Sequence, residues 1–167
     1  MERGLEKGVE MPVARSVARQ SGLAMAVAAA ALCWVDAACA EKRVALVIGN
    51  DRYVNMAPDR QLRKAVNDAR TVAAAMRSLG FDVIVGTDLG RQGMIDKLAE
   101  FTARLEAGDT AAFFFAGHGV AIQGVNYLIP SDVPAASEGA EARVRGASLA
   151  EPDIIAELQA KSVRVAL

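Results

Sequence analysis

The sequence predicts an α/β protein, a three-layer sandwich built on a mostly parallel sheet. Short runs of continuous rather than alternating apolar residues read as strands buried on both faces. Between them lie segments whose apolar residues recur every three or four positions, as on one face of a helix. Such alternation with short connections favours parallel strands joined by helical crossovers. The chain has 167 residues, 53% of them hydrophobic and 23% charged, which suits one domain with a packed core rather than a disordered chain.

The first strand is Arg43-Val44-Ala45-Leu46-Val47-Ile48-Gly49-Asn50, closed by Gly and Asn. After a polar loop holding Asp51, Asn55, Pro58 and Asp59, the positions Leu62, Val66, Ala69, Ala73 and Met76 predict an amphipathic helix over 62–79. Gly80 sits where a helix C-cap glycine belongs. Phe81-Asp82-Val83-Ile84-Val85 is the second strand. Met94, Ile95, Leu98, Phe101 and Leu105 mark the face of a second helix, closed by Gly108. The third strand, Ala111 to Ala116, runs into Gly117-His118-Gly119. Gln123-Gly124 then predicts a hairpin turn between short strands. Residues 131–147, rich in Ser, Pro, Ala, Gly and Glu, read as a surface loop. Ser148 and Glu151 have capping-box spacing, while Pro152 equally marks a first helical turn. A helix through Ile154, Ile155 and Leu158 leads to Val163–Leu167, the opening of a fourth core strand.

The first 40 residues have a different character. Arg15 and Arg19 precede an alanine-rich apolar run from Gly22 to Val35, followed by Ala38-Cys39-Ala40, a small-x-small pattern. That order predicts a secretory signal over 1–40, cleaved after Ala40, and hence an exported, periplasmic or secreted protein. The run falls short of the ~20 residues that span a bilayer, so no stable membrane span is expected. Met11 is an alternative start. Both cysteines, Cys33 and Cys39, lie in this leader, so the chain from 41 onward carries neither disulfide nor thiol. A net charge of −1 offers no basic excess for nucleic acid.

In open parallel sheets, reactive groups gather at the carboxyl ends of the strands. Three such ends are chemically distinctive here: Asn50-Asp51, His118, and whatever follows Leu167. His118 is the sole histidine and stands between two glycines, which permit a sharp turn and close approach of a substrate. A neutral imidazole takes a proton from a thiol and returns it to a leaving amine; the plain alternative is a surface histidine at a strand end. One histidine without a thiol makes no structural zinc site, and no metal or cofactor is expected. Phosphate-loop, dinucleotide and serine-elbow motifs are missing.

Three segments together resemble the caspase/metacaspase superfamily of cysteine peptidases, in its large-subunit region. They are Arg43–Asn50 with Tyr53; Leu62-Arg63-Lys64-Ala65-Val66-Asn67-Asp68-Ala69; and Phe113–Gly119 with Asn126-Tyr127-Leu128-Ile129-Pro130-Ser131-Asp132 downstream. The resemblance covers about residues 43–167 and implies a caspase-like fold and a cysteine-type endopeptidase acting on protein or peptide substrates. It implies that His118 is the catalytic histidine and that Gly119 gives a backbone N–H to the oxyanion hole. It also implies that Asp68 lines the primary specificity pocket and favours Arg or Lys. A carboxylate suits a guanidinium there; the alternative for Asp68 is a surface helix residue. The family's fourth strand leads to the nucleophilic cysteine, whereas Val163–Leu167 matches that strand and stops short of it. The expectation is an incomplete domain, inactive alone, whose exposed sheet edge invites self-association. A truncated gene model is favoured over a split protein or an inactive remnant. The competing functional reading is a non-catalytic caspase-fold interaction module, and a third is an unrelated receiver-like or flavodoxin-like domain.

Overall fold

The computed structural model describes residues 41–135 and 140–166. The expected leader over 1–40 lies outside them. Strands β1 (Arg43–Gly49), β2 (Asp82–Thr87), β3 (Thr110–Ala116) and β7 (Val165–Ala166) form one sheet in the order β2-β1-β3-β7, with every pairing parallel. Parallel neighbours need crossovers, and helices α1 (Ala65–Ser78) and α2 (Arg91–Arg104) supply them.

The strands alternate their side chains between two apolar layers, as the continuous runs predict. On one face Val44, Leu46 and Ile48 pack with Met94, Leu98 and Phe101 of α2 and with Ile154 and Leu158 of α4 (Glu151–Ala160). On the other, Ala45, Val47 and Ala112 pack with Ala69 and Ala73 of α1. Helices therefore cover both faces, and the three-layer sandwich is the observed architecture. The α1 face is built from small residues, so the helix lies close. A Cβ on Gly49 would stand 2.5 Å from the Ala65 carbonyl oxygen and 2.7 Å from the Ala69 Cβ. Glycine at the end of β1 is thus what lets α1 begin against the strand.

Gly80 ends α1 as expected, with a φ of +82°. Phe81 N–H donates to the Met76 carbonyl and Gly80 N–H to that of Arg77, the two bonds of a Schellman motif. The hairpin forms between β4 (Gly119–Ile122) and β5 (Val125–Leu128), with Gln123 and Gly124 at φ of +52° and +80°. Positive φ at both central residues is the signature of the tight hairpin turn whose twist matches the strands.

Three local expectations are corrected. Residues 131–147 are not loop throughout: Glu141–Ala147 form a short helix, α3, where Ala142, Arg143 and Ala147 supply helix propensity that composition masked. Gly108 does not close α2, which ends at Arg104 with Leu105 as its C-cap; the glycine's φ of +88° serves the turn before β3 instead. Ser148 does not cap α4, because its Oγ donates back to the Val144 carbonyl at 2.7 Å. Ala150 is the N-cap and Pro152 stands in the first turn, the other of the two readings. Leu149-Ala150 also form a two-residue strand, β6, antiparallel to β5. Among the described residues no helix is long and apolar enough to cross a membrane.

Candidate active site

The carboxyl ends of β1, β2 and β3 meet at one end of the sheet, and hydrogen bonds from side chains to the main chain tie their loops together. Asn50, fully buried at the end of β1, donates from Nδ2 to the Leu89 carbonyl at 3.1 Å and accepts from Leu89 N–H at 2.9 Å. Its own N–H reaches the Ala116 carbonyl at 2.9 Å. Asn50, through its side chain and its backbone N–H together, thereby joins the ends of three strands. Asp51 accepts from Ala65 N–H at 2.8 Å and so caps α1 from outside the helix. Asp88 Oδ1 accepts from the N–H groups of Asp51 and Arg52 at 2.8 and 2.9 Å. Asp132 does for α2 what Asp51 does for α1, accepting from Arg91 N–H at 2.8 Å. The acidic residues at these strand ends are scaffold.

His118 follows β3 and is half-buried. Its backbone is held on both sides: His118 N–H donates to the Tyr53 hydroxyl at 2.7 Å, and its carbonyl accepts from Ile129 N–H at 3.0 Å. The Tyr53 ring lies 4.8 Å from the imidazole, tilted by 56°. Tyr53 is buried, and desolvation pushes its hydroxyl above the ordinary tyrosine range, so it remains a neutral phenol. Gly117 makes this contact possible: a Cβ there would stand 2.6 Å from the Phe115 ring and 2.8 Å from the Tyr53 hydroxyl oxygen.

The imidazole Nε2 lies 2.7 Å from the carbonyl oxygen of Arg60. A carbonyl only accepts, so Nε2 carries the hydrogen and the neutral ring keeps its lone pair on Nδ1. Arg60 ends the 3-10 turn Pro58–Arg60. Gln61 holds that loop in shape, accepting from Tyr53 N–H at 2.7 Å and donating to the carbonyls of Tyr53 and Met56, both at 2.9 Å.

Gly119 is exposed, and a Cβ on it would meet only the Tyr127 carbonyl oxygen at 3.5 Å. Neither crowding nor strain requires glycine there, and the space over its backbone is open. Asp68 lies exposed in the first turn of α1. It does not share a cavity with His118. Asp68 lines a hollow of about 450 Å3 with Gln61, Leu62, Arg63, Lys64, Ala116 and Gly117. His118 and Gly119 line a second, of about 540 Å3, with Arg60 and apolar side chains. Among the described residues no cluster of three or more His, Cys, Asp or Glu is arranged to hold a metal ion.

Two contacts of His118 escaped sequence reasoning, although Tyr53 itself belonged to the first segment of the resemblance. The Arg60 carbonyl has no sequence signal, since every residue carries one. Tyr53 did have a signal: a lone aromatic with a polar tip, three residues beyond the first strand's closing Asn50.

The model of the caspase domain family matches residues 42–151. Human mucosa-associated lymphoid tissue lymphoma translocation protein 1 is 30% identical over 99 residues, which are 59% of this chain and 12% of that protein. Its mouse homolog is 30% identical over 95 residues, 57% of this chain and 11% of the homolog. The crystal structure of protein GSU0716 from Geobacter sulfurreducens superimposes with a TM-score of 0.54 at 21% identity, covering 74% of this chain and 48% of that one. The chain thus spans about an eighth of the length of the curated relatives and about half of the solved structure. With the parallel sheet, the histidine at its carboxyl edge and the family match over most of its length, this chain belongs to the caspase domain family.

Proposed function

We propose that this chain carries the histidine half of a Cys–His dyad in an endopeptidase that cuts after Arg or Lys. The observation that carries the reading is the pinned imidazole. Held through Nε2 by the Arg60 carbonyl and through its backbone by Tyr53, the ring presents Nδ1 as the base. Nδ1 takes the proton of a cysteine thiol, and the thiolate attacks the scissile carbonyl carbon. The N–H of Gly119 donates to the developing oxyanion. The imidazolium then returns its proton to the departing amine nitrogen as the C–N bond breaks, leaving a thioester that water hydrolyses. Asp68, in the adjacent hollow, pairs with the guanidinium or ammonium of the residue before the cut.

The thiol belongs to a cysteine of the full-length protein following β7. Thr110 pairs with Val165 and Ala111 with Ala166. If that parallel register continues, about five further residues bring the chain level with Ala116, next to Gly117-His118. A cysteine is therefore expected within roughly ten residues of Leu167.

The test is amidolysis of Arg- and Lys-terminated fluorogenic peptides by full-length protein. His118→Ala is expected to lower kcat by about 10^3-fold. Asp68→Asn is expected to lower kcat/KM by about tenfold or more, chiefly through KM. Full activity in His118→Ala overturns the peptidase reading. A full-length protein without a downstream cysteine and without amidolysis is instead a non-catalytic interaction module.

A further inference from the structure

The two hollows near His118 differ in lining: the one that holds Asp68 also holds Arg63 and Lys64, whereas the other is mostly apolar. Gln61 and Gly117 line the one that holds Asp68. Their chain neighbours Arg60 and His118 line the other. The divide therefore runs between Gln61 and Arg60 on one wall and between Gly117 and His118 on the opposite wall. The hydrogen bond from His118 Nε2 to the Arg60 carbonyl, 2.7 Å long, lies beside that divide. A peptide lying across that divide would place one side chain in each hollow.

On the side away from Asp68 the walls are Met56, Ile129, Val133, Pro134 and Val144. Ile129 and Val133 are buried behind it, forming a small apolar cluster with Tyr53, while Met56 and Val144 are half-buried and pack against that cluster. Among the described residues no carboxylate lines this hollow, and the one charged lining residue is Arg60. We infer that this hollow binds an apolar side chain of the residue following the cut, and that the protein selects bonds in which a cation is followed by a Leu- or Met-like residue. This rests on the peptidase reading and on Asp68 taking the residue before the cut. Apolar walls favour burying hydrocarbon, and they leave a cation both desolvated and close to the Arg60 guanidinium. The continuity of this hollow with His118 and Gly119 makes the occupant the substrate rather than a separate partner.

The experiment uses full-length protein and internally quenched peptides identical except for the residue after Arg, which is Leu, Gly or Lys. Cleavage at the bond following Arg is quantified by mass spectrometry, so that cutting after Lys is not counted. The expected order of kcat/KM is Leu about tenfold above Gly, with Lys about tenfold or more below Gly. Val144→Asp is expected to bring the Leu-to-Gly ratio to about one, and the milder Val144→Thr, which keeps the side-chain shape, to reduce it about threefold. Each ratio is read within one variant, so the folded fraction cancels. Cleavage of all three peptides at one rate, or a preference for Lys, overturns the inference and leaves the peptidase reading standing. A Leu preference unchanged in both variants also overturns it. Cleavage of none of the three overturns the peptidase reading itself.

Discussion

At the amino-terminal end of the parallel sheet, the side chains that meet are mostly charged and exposed. Lys42 pairs with Glu106 at 2.6 Å, Arg104 with Asp82 at 2.7 Å, and Arg164 with Glu41 at 2.7 Å. At the carboxyl end, side chains bond the main chain instead. Asn50, Asp51, Gln61, Asp88 and Asp132 each accept from backbone N–H groups, and Tyr53 holds the N–H of His118. The difference lies in what each arrangement can hold still. Exposed ion pairs are screened and join side chains that remain free to move. A side chain bonded to a neighbouring loop's backbone fixes where that loop runs, and a base must be placed to within a fraction of an ångström. The exposed ion pairs leave their end free to move, and the backbone-bonded end keeps its loops in place.

The largest effect that sharpens this contrast is expected at Asn50. Asn50→Leu leaves Leu89 N–H without its acceptor in a buried site, so chemical denaturation should show a loss of about 2–3 kcal/mol. Amidolysis should fall with it, because the same side chain positions the loop beyond β1. Tyr53→Phe tests positioning more narrowly. The phenol bonds the backbone of His118 and lies under its ring, so kcat is expected to fall about tenfold while KM stays within about twofold. A purely structural role would lower the active fraction and leave the pH profile of kcat/KM unmoved. A shift of that profile's acidic limb marks the positioning role.

The smallest effects belong to the charged end, and Asp109 divides them. It is the buried acid there, accepting from Lys42 N–H at 2.9 Å and Glu106 N–H at 2.8 Å. Burial pushes its carboxyl up, but these two amides and the Lys42 charge outweigh burial and hold it below its ordinary value. A depressed carboxyl stabilises the fold above its unfolded pKa and loses that contribution as pH falls through the folded value. Asp109→Asn should therefore lower Tm at pH 7, by an amount that begins to shrink near the ordinary Asp value of about 4 and vanishes as pH falls through the lower value of the folded state. Arg104→Ala removes two exposed pairs, with Asp82 and Glu100, and Tm should not measurably change. A large loss in Arg104→Ala, or none in Asn50→Leu, would break the comparison.

The legible parts of the molecule were those set by local pattern. Continuous apolar runs placed β1, β2 and β3, and the opening of β7 was read from Val163–Leu167. Gly80 and Gln123-Gly124 announced their own backbone angles, because few residue types tolerate positive φ. The short elements were not legible. Helix α3 has seven residues and β6 two, too few to show a period, and both exist because β5 and the neighbouring loops give them something to pack on. Asn50 and Asp51 were distinctive by position, but their partners on the β2–α2 loop and on α1 lie 14 to 39 residues away.

The sequence by itself determined the order of strands and helices, the three-layer class and the presence of one histidine at a strand end, between glycines. Apolar periodicity, glycine freedom and residue type encode these, and all three are properties of neighbours in the chain. Tertiary structure alone decided which imidazole nitrogen carries the hydrogen, and that Asp68 and His118 occupy separate hollows. The first depends on the Arg60 carbonyl and the second on where folding places the start of α1 and the loop after β3. Backbone carbonyls are identical in every residue, so a contact made through one leaves no mark in the sequence until folding brings it into reach.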